Sequence, residues 1–149
     1  MRQSAIVGVD VQIDFCPGGK LAVPLGDEVV QQLNKLATHL WVHGEEIYLS
    51  RDLHPEEMDE HFTKFPKHCI HNTEGAKFHP KLDLRHAIIL SKGLKRTENA
   101  FSAFEGKTAD GRTLEEILRS KNITHLYICG LATDYCVKAT VLDALRKGF

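Results

Sequence analysis

Four short apolar runs, separated by helical or loop-like stretches, constrain the fold of this chain more than any other feature. They are Ser4 to Asp10 (SAIVGVD), Glu46 to Ser50 (EIYLS), His86 to Ser91 (HAIILS) and His125 to Gly130. Each reads as a buried strand. After the first run, Asp27 begins a helical pattern: Val29, Val30, Leu33, Leu36, Ala37, Leu40 and Trp41 recur at three- and four-residue steps until Gly44 stops it. A short helix from about Thr113 to Ser120 precedes the fourth run. Val137, Val141, Leu142 and Leu145 follow that run at helical spacing, and Gly148 reads as a C-cap. Strands alternating with helices predict an α/β fold with a doubly wound parallel sheet. Such sheets bind ligands beyond the carboxyl ends of their strands. Here those ends carry Asp10, the Arg51-Asp52-Leu53-His54 run, Lys92, and a turn leading to Cys136. A carboxylate, a metal-type cluster, a lysine and a thiol therefore converge on one edge of one sheet.

Composition narrows the function classes. A chain of 149 residues makes a single domain with a genuine core. Its 19 basic and 20 acidic side chains leave a net charge of −1, which gives no electrostatic case for nucleic acid or an anionic membrane surface. No apolar run reaches membrane-spanning length, and the start MRQSAIVGVD is too short and polar for a signal peptide, so the expected location is the cytoplasm. The four cysteines (Cys16, Cys69, Cys129 and Cys136) show no C-x-x-C spacing, which argues against a disulfide scaffold and a zinc ribbon. Four of the nine histidines (His54, His61, His68 and His71) fall between His54 and His71, within a segment running from Arg51 to about Pro80. That segment is longer than a mere connection needs.

Each strand-end residue has a chemical and a plain structural reading. Cys136 falls within the first turn of the last helix, with Thr133 or Asp134 as N-cap; helix-end N–H groups and the helix dipole favour a thiolate there. Its plain role is a small buried side chain. Asp10 suits the base that takes the thiol proton, or else a cap at the strand end. Lys92 would hold Asp10 ionised and stabilise a developing oxyanion; Lys95 competes for that role, and spacing does not separate them. Asp52 and His54, one residue apart in an extended segment, can face the same side. With His61, His68 and His71 they offer the mixed oxygen and nitrogen donors that suit Zn, Fe or Mn. The competing reading makes Asp52 the cap of a short helix starting at His54-Pro55-Glu56-Glu57.

Several of these segments together resemble the nicotinamidases (pyrazinamidases) of the isochorismatase-like cysteine-hydrolase superfamily. The matching motifs are Asp10-Val-Gln-Ile-Asp-Phe15 with Pro17-Gly-Gly, Arg51-Asp-Leu-His-Pro55 through His61-Phe62, Pro66-Lys-His68-Cys69, and Cys129-Gly-Leu-Ala-Thr-Asp-Tyr-Cys136. Asn72-Thr-Glu-Gly-Ala76 and Phe104-Glu105-Gly106 add to them. The resemblance implies a triad of Cys136, Asp10 and Lys92. It implies one divalent metal ion, zinc first and Fe or Mn next, on Asp52, His54 and His68, with His61 as fourth ligand and His71 as competitor. A non-proline cis peptide before Ala132 and an oxyanion hole of the Ala132 and Cys136 N–H groups are implied too. Phe15 and Phe65 would flank a pyridine ring, and Phe101 would line the pocket. Relatives often carry tryptophan where this chain has Phe65. The implied reaction is hydrolysis of nicotinamide to nicotinate and ammonia through a cysteine thioester, in NAD salvage.

Two further readings stand beside it: a related hydrolase of a carbamoyl or ureido amide, and a shortened, inactive metal-binding or redox-thiol protein. The sequence stops at Leu145-Arg-Lys-Gly-Phe149, so the resemblance implies a single isochorismatase-like domain over 1–149 lacking a last strand–helix–strand unit, with the fourth strand left at the sheet edge. The partner expected is a small molecule. Neither metal identity nor oligomeric state, monomer or homo-oligomer, is fixed by the sequence.

Overall fold

The computed structural model describes residues 3–149. Its strands are β1 (Gln3–Val9), β2 (Glu46–Asp52), β3 (Ala87–Lys92) and β4 (Ile123–Gly130). Its helices are α1 (Glu28–Val42), α2 (His61–Lys64), α3 (Leu114–Ser120) and α4 (Lys138–Arg146). All four strands run parallel in the order β3-β2-β1-β4, so the chain grows outward from β1 in both directions, as in a doubly wound sheet.

Alternation along β1 explains the layers. Ile6 faces Val30, Leu33 and Leu40 of α1 together with Leu49 of β2. Ala5, Val7 and Val9 face the other way, toward Leu114, Ile117 and Leu118 of α3 and Ala144 of α4. The central strand is thus buried on both sides, which is why it reads as an unbroken apolar run. Among the described residues β4 pairs with β1 alone, and Tyr127, Leu142 and Leu145 stand exposed near it. The edge position expected for the fourth strand holds.

Element limits shift by one or two residues from the sequence reading. β2 continues to Asp52, β3 to Lys92, and β4 starts at Ile123 rather than His125. The extra residues pair in register: Asp52 lies opposite Lys92 and Val9 lies between Ser50 and Gly130. These polar ends are invisible to an apolar-run search, although backbone pairing carries them into the sheet. No helix forms at His54–Glu57, so Asp52 is not a helix cap; His54 instead bridges to Ile70 across the long segment. Gly148, with φ +83, ends α4 as expected, its N–H reaching Leu145 O at 3.1 Å. No helix is long and apolar enough to cross a membrane among the described residues.

Candidate active site

Beyond β4, the Leu131–Ala132 peptide bond is cis, and Thr133–Val137 forms a π turn that runs into α4. Ala132 occupies the N-cap position in extended conformation, and neither Thr133 nor Asp134 supplies a side-chain cap. That corrects the capping expectation. The widened turn satisfies its own donors, because the Tyr135 and Val137 N–H groups both reach Ala132 O at 3.1 Å. The Ala132 N–H donates to no acceptor among the described residues. Cys136 is buried in this turn, and Thr140 donates to its carbonyl at 2.7 Å.

The thiol is not acidified as a helix start alone suggests. Burial, and then the negative charge of Asp10, push Cys136 well up, with Lys92 opposing. Burial thus works against the thiolate that the helix end favours.

Asp10 and Lys92 explain how it is served. Asp10, left-handed at φ 49, is fully buried at the end of β1. Its Oδ1 accepts the Ser50 hydroxyl at 2.7 Å. Its Oδ2 faces Lys92 Nζ at 2.8 Å but receives no aligned hydrogen bond, leaving an open acceptor. Burial raises the Asp10 pKa, Lys92 opposes the rise, and Asp52 adds to it. Lys92 is 1% exposed and lies 2.5 Å from Asp52 Oδ1, 3.2 Å from Ala100 O and 3.7 Å from Cys136 Sγ. Burial works against its charge, but Asp10 and Asp52 outweigh burial and hold it cationic. Lys95 is exposed and makes none of these contacts, so the fold sets Lys92 rather than Lys95 beside Asp10.

Three imidazoles converge beside this cluster. His54 Nδ1 lies 2.9 Å from Gly93 O, His68 Nδ1 2.6 Å from Pro66 O, and His61 Nδ1 3.0 Å from Asn99 Oδ1. Gly93 O and Pro66 O can only accept, so His54 and His68 carry Nδ1–H and present a bare Nε2; the amide oxygen of Asn99 facing His61 Nδ1 favours the same tautomer there. The three rings offer donor atoms within 4.8 Å of one another. His61 and His68 Nε2 stand 3.4 Å apart, and Asp52 Oδ2 is 3.5 Å from His54 Nε2 and 3.9 Å from His68 Nε2. His54 Nε2 is buried with no hydrogen-bond partner. Lone pairs aimed at one another repel unless a cation lies between them, so this donor set fits a divalent metal.

Burial lowers His61 to about 4 and moves His68 the same way, keeping both neutral as ligands must be. Burial alone would raise Asp52; Lys92 and then His54 hold its carboxyl far below the usual range. Gly93, at φ +68, is required here: a Cβ would fall 2.4 Å from the His54 ring. His71 is exposed and lies outside the group, whereas His61 belongs to it.

Metal-type and thiol groups open onto one cavity of about 260 Å³, lined by Asp52, His61, His68, Ala132 and Cys136 together with Phe15, Phe65 and Phe101. Asp10 and Lys92 stand behind Cys136 rather than in the wall. Sequence reasoning missed Tyr135, whose ring lies 5.5 Å from Phe65 and 6.3 Å from Phe101 and closes the aromatic wall. It also missed two supports. Gln12 donates to Asp52 O at 2.7 Å and Ala76 O at 2.8 Å, and accepts the Asp52 N–H at 2.8 Å. Asp14 Oδ2 accepts the Cys69 N–H at 2.7 Å, fixing the residue after His68. Gln12, Asp14 and Tyr135 all sit inside motifs already singled out. Asn99 carried no signal.

The isochorismatase domain model matches residues 4–149. The Escherichia coli nicotinamidase is 38% identical over 100% of this chain and 79% of its own length. A nicotinamidase/pyrazinamidase of Mycobacterium tuberculosis is 35% identical over 97% of this chain and 80% of its own. Among solved structures, the pyrazinamidase of Pyrococcus horikoshii in complex with zinc superposes with a TM-score of 0.88 at 42% identity, covering 99% of this chain and 80% of that one. The chain thus spans about four-fifths of the length of these relatives.

Proposed function

This chain belongs to the isochorismatase domain family, and from that membership we propose that it hydrolyses nicotinamide to nicotinate and ammonia. The observation that carries the reading is the opening of Cys136 and of His61, His68 and Asp52 of the metal-type cluster onto one aromatic, ring-sized cavity. His54, His61, His68 and Asp52 would hold one divalent ion, zinc by likeness to the Pyrococcus horikoshii structure, and such an ion supplies a Lewis-acidic anchor for the pyridine nitrogen. Phe15, Phe65 and Phe101 would hold the ring faces. The carboxamide then presents its carbon to Cys136.

Asp10 takes the thiol proton through its open Oδ2 as sulfur attacks the carboxamide carbon. Lys92 keeps Asp10 ionised until that moment. The Ala132 and Cys136 N–H groups receive the oxyanion, a contribution of about 3 kcal/mol by the scale of other acyl-transfer sites. Asp10 returns the proton to the departing nitrogen, and ammonia leaves a thioester. Asp10 then deprotonates water, which attacks the thioester; collapse expels the Cys136 thiolate, which takes the proton back from Asp10, and the acid leaves as nicotinate with its proton lost to solvent. The reaction returns nicotinamide to pyridine-nucleotide recycling. A ring-sized aromatic cavity beside nitrogen and oxygen donors favours this substrate over carbamoyl or ureido amides, which lack a ring to fill it.

Ammonia release from nicotinamide, with metal content measured on the same sample, tests the assignment. Cys136→Ala is expected to abolish release with metal content unchanged, and benzamide, lacking the ring nitrogen, to turn over far more slowly. Equal rates for variant and wild type overturn it.

A further inference from the structure

We propose that Asn99 is a positioning residue for the metal cluster, acting through His61; the inference rests on the metal-binding reading above. Three imidazoles need the same service: an acceptor on Nδ1 that leaves Nε2 bare. His54 and His68 obtain it from backbone carbonyls, Gly93 O and Pro66 O. His61 obtains it from a side chain, Asn99 Oδ1 at 3.0 Å. His61 also sits on a four-residue helix with no side-chain cap. Its ring orientation therefore depends on a group that one substitution removes without altering any backbone.

Asn99 comes from the loop after β3, not from the His-rich segment. That same loop supplies Ala100 O to Lys92 Nζ at 3.2 Å and Phe101 to the cavity wall. Outside, Arg96 grips Asp59 through two nitrogens at 2.7 and 3.0 Å, and the Asp59 N–H reaches Arg96 O at 2.9 Å. The two loops are clasped twice: at the surface by Arg96 and Asp59, and inside by Asn99 and His61. Only the inner clasp touches a ligand.

An amide can accept through Oδ1 or donate through Nδ2, and the roles have opposite consequences. If Asn99 accepts, His61 presents a lone pair to the cluster. If it donates, His61 Nε2 carries the proton and cannot bind metal. Aspartate only accepts and leucine does neither. Asn99→Leu is expected to weaken zinc binding about 10- to 100-fold in chelator competition, the usual cost of losing a ligand's outer partner. Asn99→Asp should bind zinc at least as tightly as wild type. Cobalt-loaded protein adds a spectroscopic readout: the visible bands of Asn99→Leu should shift or weaken, and those of Asn99→Asp should match wild type. Far-ultraviolet circular dichroism confirms that each variant is folded; if Asn99→Leu is not, Asn99→Asp with Asn99→Ala decides by the same criteria. Wild-type binding with an Asn99→Leu dissociation constant within twofold of it, or an Asn99→Asp loss equal to that of Asn99→Leu, overturns the proposal while leaving the metal site standing. Failure of wild type to bind zinc or cobalt overturns both.

Discussion

Gly75→Ala isolates one support of the site. Gly75 lies in a short 3-10 turn, Glu74–Ala76, where alanine meets no backbone penalty and should stabilise by about 0.4–1 kcal/mol through the unfolded chain. A Cβ there would stand 2.2 Å from Asp14 Oδ2 and 2.3 Å from its Cγ, far inside contact distance. The buried Asp14 carboxylate must move, and it then releases the Cys69 N–H held at 2.7 Å and the Lys20 N–H held at 3.1 Å. A bond to a charged group is worth about 1.5–3 kcal/mol. Counting only the buried Cys69 bond, and less the alanine gain, the expected net loss is about 0.5–2.6 kcal/mol. In an Asp14→Ala background the clash is gone, and Gly75→Ala should be neutral or stabilising by up to about 1 kcal/mol. Urea unfolding of the four chelator-treated proteins closes the cycle, since bound metal would otherwise add its own stabilisation. A Gly75→Ala cost below about 0.5 kcal/mol, or the same cost in both backgrounds, refutes the argument.

Lys92→Met leaves Asp10 and Asp52 buried without their cation, which should cost about 3–5 kcal/mol, or roughly 6–20 °C in Tm for a chain of this size. A loss under about 1 kcal/mol in thermal or urea unfolding would show that the trio is not held as described. The pH profile of kcat/KM follows from Asp10. The active form carries Asp10 ionised, and burial raises its pKa, so activity falls with pH through an inflection above the ordinary carboxylate value of about 3.9. Metal content must stay constant across the range, and an inflection at or below that value counts against Asp10 as the base.

Legibility in the sequence followed local physics. The strands and α1 were readable because burial on both faces, or on one helical stripe, writes a period into the apolar residues. Asp10, Asp52, Lys92 and Cys136 were readable because strand ends of a doubly wound sheet share an edge, and the register sets Asp52 opposite Lys92. The opposing effect of burial on the thiol was not readable, because a helix end is visible in sequence and desolvation is not. The π turn was missed because apolar spacing after Cys136 suits an ordinary helix, and only the Val137 to Ala132 bond reveals the extra residue in the turn. Asn99 stayed hidden because its role depends on two loops meeting across thirty-eight residues of chain. Nothing in a lone asparagine signals that.

Asp52 divides its two oxygens between Lys92 and the imidazoles. The nucleophile's half of the site and the ring-holding half therefore do not evolve independently. An isosteric change to asparagine removes countercharge from Lys92 and a hard anionic donor from the cluster in one step. Remodelling toward amides without a ring nitrogen would have to replace that carboxylate's service to Lys92 before the histidines became free to drift.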